Sequence, residues 1–422
     1  MKFATSVFLV SFLLLISCAK SGDDSTTENE QMEQPQSDDF VVTITNTSAF
    51  GSGKIATVYL SDENGQLLVQ ENLVANGEAS LVSVGTQGMR HDLVMFSDSF
   101  LNGSRYKTVL IFEDIAEGQI EYNGSIPSFI DSDPLQLSFY NIEERPLFLT
   151  SRNQQIISPY SSSNGGTIDF STLVGVNTEL SGMYLGIRRI VDNFQRYYWD
   201  DNPPITNPVE IDYNDLPLLD NIISLDPPAG YYLSNFNITG FTPNDQADFG
   251  HQIYQYIDGS FNPSDSYGLP NDLFNRFRIE AVYSDPERVF TVIKSANTPF
   301  TAIPTASINL NVNNTSVQAF SATSTGNYDS FRSIYRYENT GLNIQYQVRV
   351  FGEQSPTITY NHASLLSSVF GSELNVSNLE FDFFKLWNYG DILGYDDFVI
   401  KRLFNIPREI EKGMDYESVK TF

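Results

Sequence analysis

From Phe40 onward, apolar and polar side chains alternate in short runs rich in Val, Ile, Thr, Tyr and Phe, broken by Gly, Asn, Asp and Pro. A period of two marks strands with one buried face, and turn residues at this spacing predict an antiparallel all-β sandwich. The first strands are expected at residues 41–46, 54–60, 66–70, 78–84, 91–96 and 105–112. Asn64-Gly65 should join the second to the third as a type I′ hairpin, because both residues tolerate positive φ, and Asn76-Gly77 marks a later turn. Further strands are predicted at 135–142, 167–170, 183–187, 196–199, 231–238, 252–257, 277–283, 289–293, 331–337 and 342–351. Residues 260–275, with Pro263, Gly268 and Pro270, read as a loop. Helix is confined to two short candidates, 363–370 and 408–414.

The same order of strand, polar turn and strand recurs. It leads into Ile120-Glu121-Tyr122-Asn123, then Ile211-Asp212-Tyr213-Asn214, then Ile308-Asn309-Leu310-Asn311. Each interval is roughly the length of one sandwich module, so the chain reads as tandem antiparallel β-sandwich units of the Ig-like or prealbumin-like kind. The expected units are 40–130, 131–225, 226–316 and a partly different β-rich C-terminal one, 317–422. Within the first, residues 53–96 with their two Asn-Gly turns resemble the prealbumin-like modules of the carboxypeptidase-regulatory type.

Ahead of these units the texture is different. Lys2 is followed by an apolar run, Val7 to Ile16, too short to cross a bilayer comfortably, which reads as a secretory signal. The run ends in Leu15-Ile16-Ser17-Cys18, which resembles the lipobox of bacterial lipoproteins. The resemblance implies cleavage after residue 17 and a diacylglyceryl thioether on Cys18. Cys18 is the only cysteine, so no disulfide competes for its thiol. Ala19-Lys20-Ser21-Gly22-Asp23-Asp24 resembles the export signal of Bacteroidetes-type surface lipoproteins, implying an outer-membrane or cell-surface destination. Residues 18–39 then hold seven acids and Met32 as their one sizeable apolar side chain. They should form a self-repelling flexible tether.

Composition narrows the partners. With 24 basic against 52 acidic residues and a formal charge of −28, nucleic acid and bare anionic lipid would be repelled. The membrane contact expected is therefore the lipid itself. A hydrophobic content of 41% leaves ample material for folded cores.

Candidate chemistry is sparse. His91, His251 and His362 are far apart in sequence with no partner at metal-ligand spacing, and no nucleophile elbow, His-Glu-x-x-His or phosphate loop occurs. The acidic turns Asp131-Ser132-Asp133, Asp200-Asp201-Asn202, Asp212-Tyr213-Asn214-Asp215 and Asp396-Asp397 can offer oxygens to calcium, although none matches the twelve-residue calcium loop; no other cofactor is expected. Aromatic clusters at Tyr197-Tyr198-Trp199, Tyr231-Tyr232, Tyr254 with Tyr256, and Phe381-Asp382-Phe383-Phe384 with Trp387 and Tyr389 suit either glycan stacking or core packing. The expected function is a ligand-binding or structural component rather than an enzyme, directed at polysaccharide or an outer-membrane partner protein. A carboxylate-based polysaccharide hydrolase and an adhesin stalk or spacer are the alternatives.

Overall fold

The computed structural model describes residues 38–46, 56–74, 76–101, 103–122, 133–143, 146–150, 156–157, 167–176, 182–189, 195–202, 209–219, 221–226, 228–245, 250–257, 266–270, 272–390, 392–401 and 415–422. Cys18, the expected tether up to residue 37 and the helix candidate at 408–414 lie outside the described residues; Asp38 and Asp39, expected as the end of the tether, instead join the first unit, the Asp38 carbonyl accepting from the Gln87 amide and Asp39 Oδ1 from the Gly85 amide.

The first unit contains β1 (Phe40–Asn46), β2 (Ala56–Ser61), β3 (Leu67–Leu73), β4 (Glu78–Ser83), β5 (His91–Leu101), β6 (Ser104–Ile115) and β7 (Gly118–Tyr122). β1 pairs antiparallel with β4 and parallel with β7, while β3-β2-β5-β6 form a second, antiparallel sheet. Phe40, Val42 and Ile44, at alternate positions of β1, are fully buried, and Val58, Leu60, Leu93 and Phe112 belong to the same core. That is a β-sandwich. The hairpin at Asn64-Gly65 differs from the expected type I′ turn: of the two residues only Gly65 has positive φ, and the ladder shifts register between Leu60 and Ser61. One glycine in the left-handed region beside a register slip is the glycine bulge of a longer loop.

The second unit repeats the plan with β8 (Asp133–Glu143), β9 (Pro146–Thr150), β10 (Ile156–Ile157), β11 (Thr167–Val176), β12 (Met183–Arg189), β13 (Gln195–Asp200) and β14 (Val209–Asp212). β8 pairs antiparallel with β11 and parallel with β14, and β10-β9-β12-β13 form the other sheet. The third unit has β15 (Asn221–Ser224), β16 (Tyr232–Phe241), β17 (His251–Ile257), β18 (Ser266–Leu269), β19 (Arg276–Ser284) and β20 (Arg288–Ala296). β15 pairs with β18, β17-β16-β19-β20 make the second sheet, and a parallel bridge between Asp226 and Ala302 stands where the seventh strand belongs. Three successive stretches thus share one strand order.

Two details depart from the sequence reading. The stretch 260–275, expected as loop, holds β18, with Tyr267 and Leu269 buried. Ile308-Asn309-Leu310-Asn311 was expected to repeat the role of Ile120 and Ile211, yet that role falls to the bridge at Ala302. Residues from Asn309 open the last unit instead, and β15, ahead of residue 226, pairs within the third.

The last unit contains β21 (Asn309–Asn314), β22 (Phe320–Thr325), β23 (Ser330–Asn339), β24 (Ile344–Gly352), β25 (Thr357–Tyr360), α1 (Ala363–Phe370), β26 (Glu380–Tyr389), α2 (Tyr395–Lys401) and β27 (Tyr416–Thr421). Its sheets are β21-β22-β25 and β24-β23-β26-β27. The second of these extends in both directions: β27 pairs antiparallel with β20, and β24 pairs parallel with β6. The result is a twelve-stranded sheet running β17-β16-β19-β20-β27-β26-β23-β24-β6-β5-β2-β3. Around the β24–β6 joint this sheet is covered on both faces. Val94, Ile111, Val350 and Leu386 enter one core, whereas their chain neighbours Leu93, Phe112, Phe351 and Trp387 enter the other. The first core includes Phe320, Tyr360, Leu365 and Phe370; the second includes Phe40, Val42, Tyr395 and Phe398. Burial on both faces explains why Leu93-Val94-Met95-Phe96 and Val109-Leu110-Ile111-Phe112 are continuous apolar runs.

Candidate functional site

A group of interacting titratable side chains, Asp92, Glu113 and His362, sits at the β24–β6 joint. The bulge between β5 and β6 puts Asp92 opposite the Glu113-Asp114 pair. Asp114 adopts φ 51°, a left-handed conformation uncommon outside glycine, and its amide donates to Asp92 Oδ1 at 3.1 Å. From the last unit comes His362, just ahead of α1, whose Nε2 lies 2.9 Å from Glu113 Oε1. The imidazole stacks on Tyr360 at 5.0 Å, which stacks in turn on Phe320 at 4.6 Å, so packing fixes the ring. The His362 side chain is 6% exposed and that of Glu113 18%.

Burial and the neighbouring Glu113 push the Asp92 carboxyl up from 3.8 to about 7. Burial also raises Glu113, against the opposing pull of His362. For His362, burial works against the charge, but the hydrogen bond to Glu113 and the charges of Glu113 and Asp92 hold it above the ordinary imidazole value. Two carboxyls and an imidazole, all three with raised pKa values, thus join the first unit to the last. Gly352 allows this approach. A Cβ there would lie 2.4 Å from the Phe331 ring and 2.7 Å from Glu113 Oε2. Gly352→Ala is expected to cost about 1–3 kcal/mol by overpacking, read as a lowered urea midpoint; an unchanged midpoint would contradict this close fit.

The other histidines lie elsewhere. His91 packs edge-on against Phe40 at 4.6 Å with Nε2 3.1 Å from Thr86 Oγ1, and burial lowers its pKa. His251 is buried, 5.2 Å from the Trp199 ring, with Nε2 3.4 Å from Asp245 Oδ2. Asp200 accepts from the Tyr198 hydroxyl and the Asn202 amide, and Asp201 accepts from Trp199 Nε1. Asp212 caps a one-turn helix at Asn214, Asp396 takes a bidentate ion pair from Arg90, and Asp397 accepts from the Leu393 amide. These carboxylates serve as turn and ion-pair acceptors; the side chains of Asp131-Ser132-Asp133 lie outside the described residues. Among the described residues no three His, Cys, Asp or Glu side chains gather closely enough to hold a metal ion.

Most of the aromatic clusters are core. Tyr254 stacks on Phe236 at 5.3 Å, Phe384 on Phe320 at 4.9 Å, and Trp387 on Phe398 at 5.7 Å. Tyr231 packs edge-on against Tyr283 and Phe290, leaving Tyr232 54% exposed. Sequence reading missed the Asp92–Glu113–His362 group because Glu113 on β6 and His362 just ahead of α1 stand 249 residues apart. One signal was present: Glu113 stands two positions beyond buried Ile111, on the side of β6 that should face the core.

No protein-family model matches the chain, and no curated protein matches it. Similar solved structures include the N-terminal four Ig domains of Dscam1 isoform 4.44, at 9% identity over 80% of this chain and 88% of that one, with a TM-score of 0.14. Escherichia coli alpha-2-macroglobulin activated by porcine elastase is similar at 8% identity over 84% of this chain and 41% of that one, with a TM-score of 0.15. Neither likeness carries an argument about function. The protein is an all-β chain of β-sandwiches, an assignment that rests on its strand pairing.

Proposed function

We propose that this chain is a lipid-anchored protein of the outer membrane, of the Bacteroidetes surface-exported type, acting as a binding or structural component. The observation that carries the reading is Cys18, the sole cysteine, placed directly after an apolar run and Leu15-Ile16-Ser17. A thioether diacylglycerol with an acylated amino terminus is ample for stable membrane residence, because each buried methylene contributes about 0.8 kcal/mol. The acidic residues of 18–39 then separate the lipid from the folded units. The ligand is a polysaccharide or an outer-membrane partner protein. The D-A-G and C-B-E-F strand order of residues 40–122, taking β1 to β7 as A to G, supports a prealbumin-like kinship for the first unit. Lateral fusion of sheets supports a binding surface over an end-to-end stalk.

Cys18→Ala is expected to release the protein from membranes or leave the precursor uncleaved, seen by fractionation and intact-mass measurement. A variant that still sediments with membranes and carries acyl chains would refute the anchor. Protease added to intact cells should remove the protein, and complete protection would refute surface exposure.

A further inference from the structure

The first sandwich gathers exposed apolar side chains at the end where the chain enters it. Asp38 and Asp39 lie against the turn between β4 and β5, the Gln87 amide donating to the Asp38 carbonyl and the Gly85 amide to Asp39 Oδ1, each at 2.9 Å. In that turn two large apolar residues face outward, Val84 at 79% and Met89 at 58% exposure. α2 comes to the same place. Arg90, the neighbour of Met89, makes a bidentate ion pair with Asp396, its Nη2 2.8 Å from Oδ2. Leu393, just ahead of α2, is 91% exposed. Ile400 follows Asp396 by four positions, so it lies on the same helical face, and it is 52% exposed.

These four side chains are surplus to the core. Tyr395, Phe398 and Val399 already turn from α2 into the core that holds Phe40, and His91, at the start of β5, packs on Phe40. Exposed apolar residues gathered in one place mark a contact surface. Size and position choose what covers this one. A stable protein interface buries about 800 Å² on each partner, and four side chains around an ion pair fall short of that. Shallow seating in lipid asks less, because apolar side chains need enter only about 5–10 Å of the headgroup boundary. Position agrees: the proposed anchor at Cys18 precedes Asp38 by 38 − 18 = 20 residues. A tether of that length has a root-mean-square span of about 25 Å. It therefore holds this end of the unit near the bilayer at an effective concentration of about millimolar, so a weak contact suffices.

We propose that this end of the first unit seats on a zwitterionic lipid surface through Val84, Met89, Leu393 and Ile400. The surface carries no net charge because Asp38, Asp39 and Asp397 stand at the same end, and a layer of anionic headgroups would repel their carboxylates at short range. The proposal rests on the Cys18 anchor and adds an orientation to it. Along β5 and β6, His91 pairs with Ile115 at the seated end and Phe100 with Arg105 at the other. The strand rise puts the second pair about 30 Å farther from the lipid. The turn at Leu342 lies there too, since the Arg105 amide donates to the Asn343 carbonyl at 3.1 Å.

Acylation would consume the Cys18 thiol, so a cysteine introduced elsewhere becomes the one free thiol of the lipidated protein. Met89→Cys, Leu393→Cys and, at the far end, Leu342→Cys each take a bimane label, and the protein is reconstituted into phosphatidylcholine vesicles with brominated acyl chains. Labels at 89 and 393 should lose about half of their emission, as seating 5–10 Å into the boundary brings them to the bromines. The label at 342 should keep its emission. With Met89→Glu and Leu393→Glu together, a label on Val84→Cys should escape quenching while the protein still floats with the vesicles. Replacing part of the lipid by phosphatidylglycerol at low salt should weaken quenching at 89, and added salt should restore it. Acylated, vesicle-bound protein without quenching at 89 and 393, or with equal quenching at 342, overturns the proposal and leaves the anchor in place. Labels protected from aqueous iodide yet unquenched by the brominated lipid give the surface to another segment of the chain or to a second copy, and also overturn it. Protein that carries no acyl chains by intact mass removes the anchor and the seating with it.

Discussion

His362→Ala is expected to lower the stability of the folded protein by about 3–5 kcal/mol, the usual cost of leaving a buried charge without its partner. Glu113 would lose the imidazole that faces it at 2.9 Å, while Asp92 would lose a compensating charge. Because the pair joins β6 to the residue ahead of α1, the loss should loosen the joint between the first and last units as well as α1 itself. Chemical denaturation measures the change, and hydrogen exchange locates it. Replacing both partners, Glu113→Leu with His362→Leu, should recover part of the stability, since an apolar pair removes the desolvation penalty together with the attraction. A double variant as unstable as the sum of the two single ones would show that packing around each side chain, not their pairing, is what matters.

The same cluster sets a pH dependence whose sign is fixed. Asp92, Glu113 and His362 all hold protons more tightly in the folded chain than in the unfolded one. Their contribution is therefore complete below the unfolded pKa of each group and is lost as pH rises through the folded one. For Asp92 the window runs from 3.8 to about 7, and for His362 it begins at 6.5. At about 1.4 kcal/mol per unit, Asp92 contributes at most about 4 kcal/mol across its window. The parent should lose stability between pH 5 and pH 8, and Asp92→Asn should flatten that fall. A difference between parent and variant that grows with the opposite sign would rule out a raised carboxyl at this position.

How much of this was legible follows from what each residue sees. Strand β4, at Glu78–Ser83, was predicted at 78–84, and α1 coincides with the candidate at 363–370, because alternation and turn residues act over a few positions. Repetition of the strand order was also visible, carried by the spacing of Ile120 and Ile211. The lateral joins were not. Nothing in Ile344–Gly352 says that it will pair parallel with Ser104–Ile115, since parallel pairing across more than 200 residues leaves no local mark. The doubly apolar runs in β5 and β6 indicate cover on both faces but not its source. The helix α2 was not expected because Asp396-Asp397 reads as an acidic turn; the pair is instead the first turn of a helix of only seven residues, too short to show a periodic apolar stripe.

Removing residues 415–422 should have the other large effect, because β27 is the only strand linking the third unit's sheet to the last unit's among the described pairings. Its six residues pair with Arg288–Ile293 on one side and Phe384–Tyr389 on the other. Tyr416 and Val419 are buried, and Glu417 accepts from the Ser307 amide at 2.7 Å and from Lys294 Nζ at 2.8 Å. Burying one large side chain contributes about 1.5–3 kcal/mol, and each internal hydrogen bond adds about 0.5–1.5 kcal/mol. The truncation should therefore remove at least about 5 kcal/mol of stability. Its consequence is topological as well: β20 and β26 become bare edges, which favours association between chains. The single unfolding transition expected of a continuous sheet should split in two, with protease cutting between residues 296 and 309 first. Supplying residues 415–422 as a synthetic peptide should restore the parent's behaviour by strand addition. A truncated protein that keeps one transition and the parent Tm would mean that the two halves of the sheet are held by their cores alone.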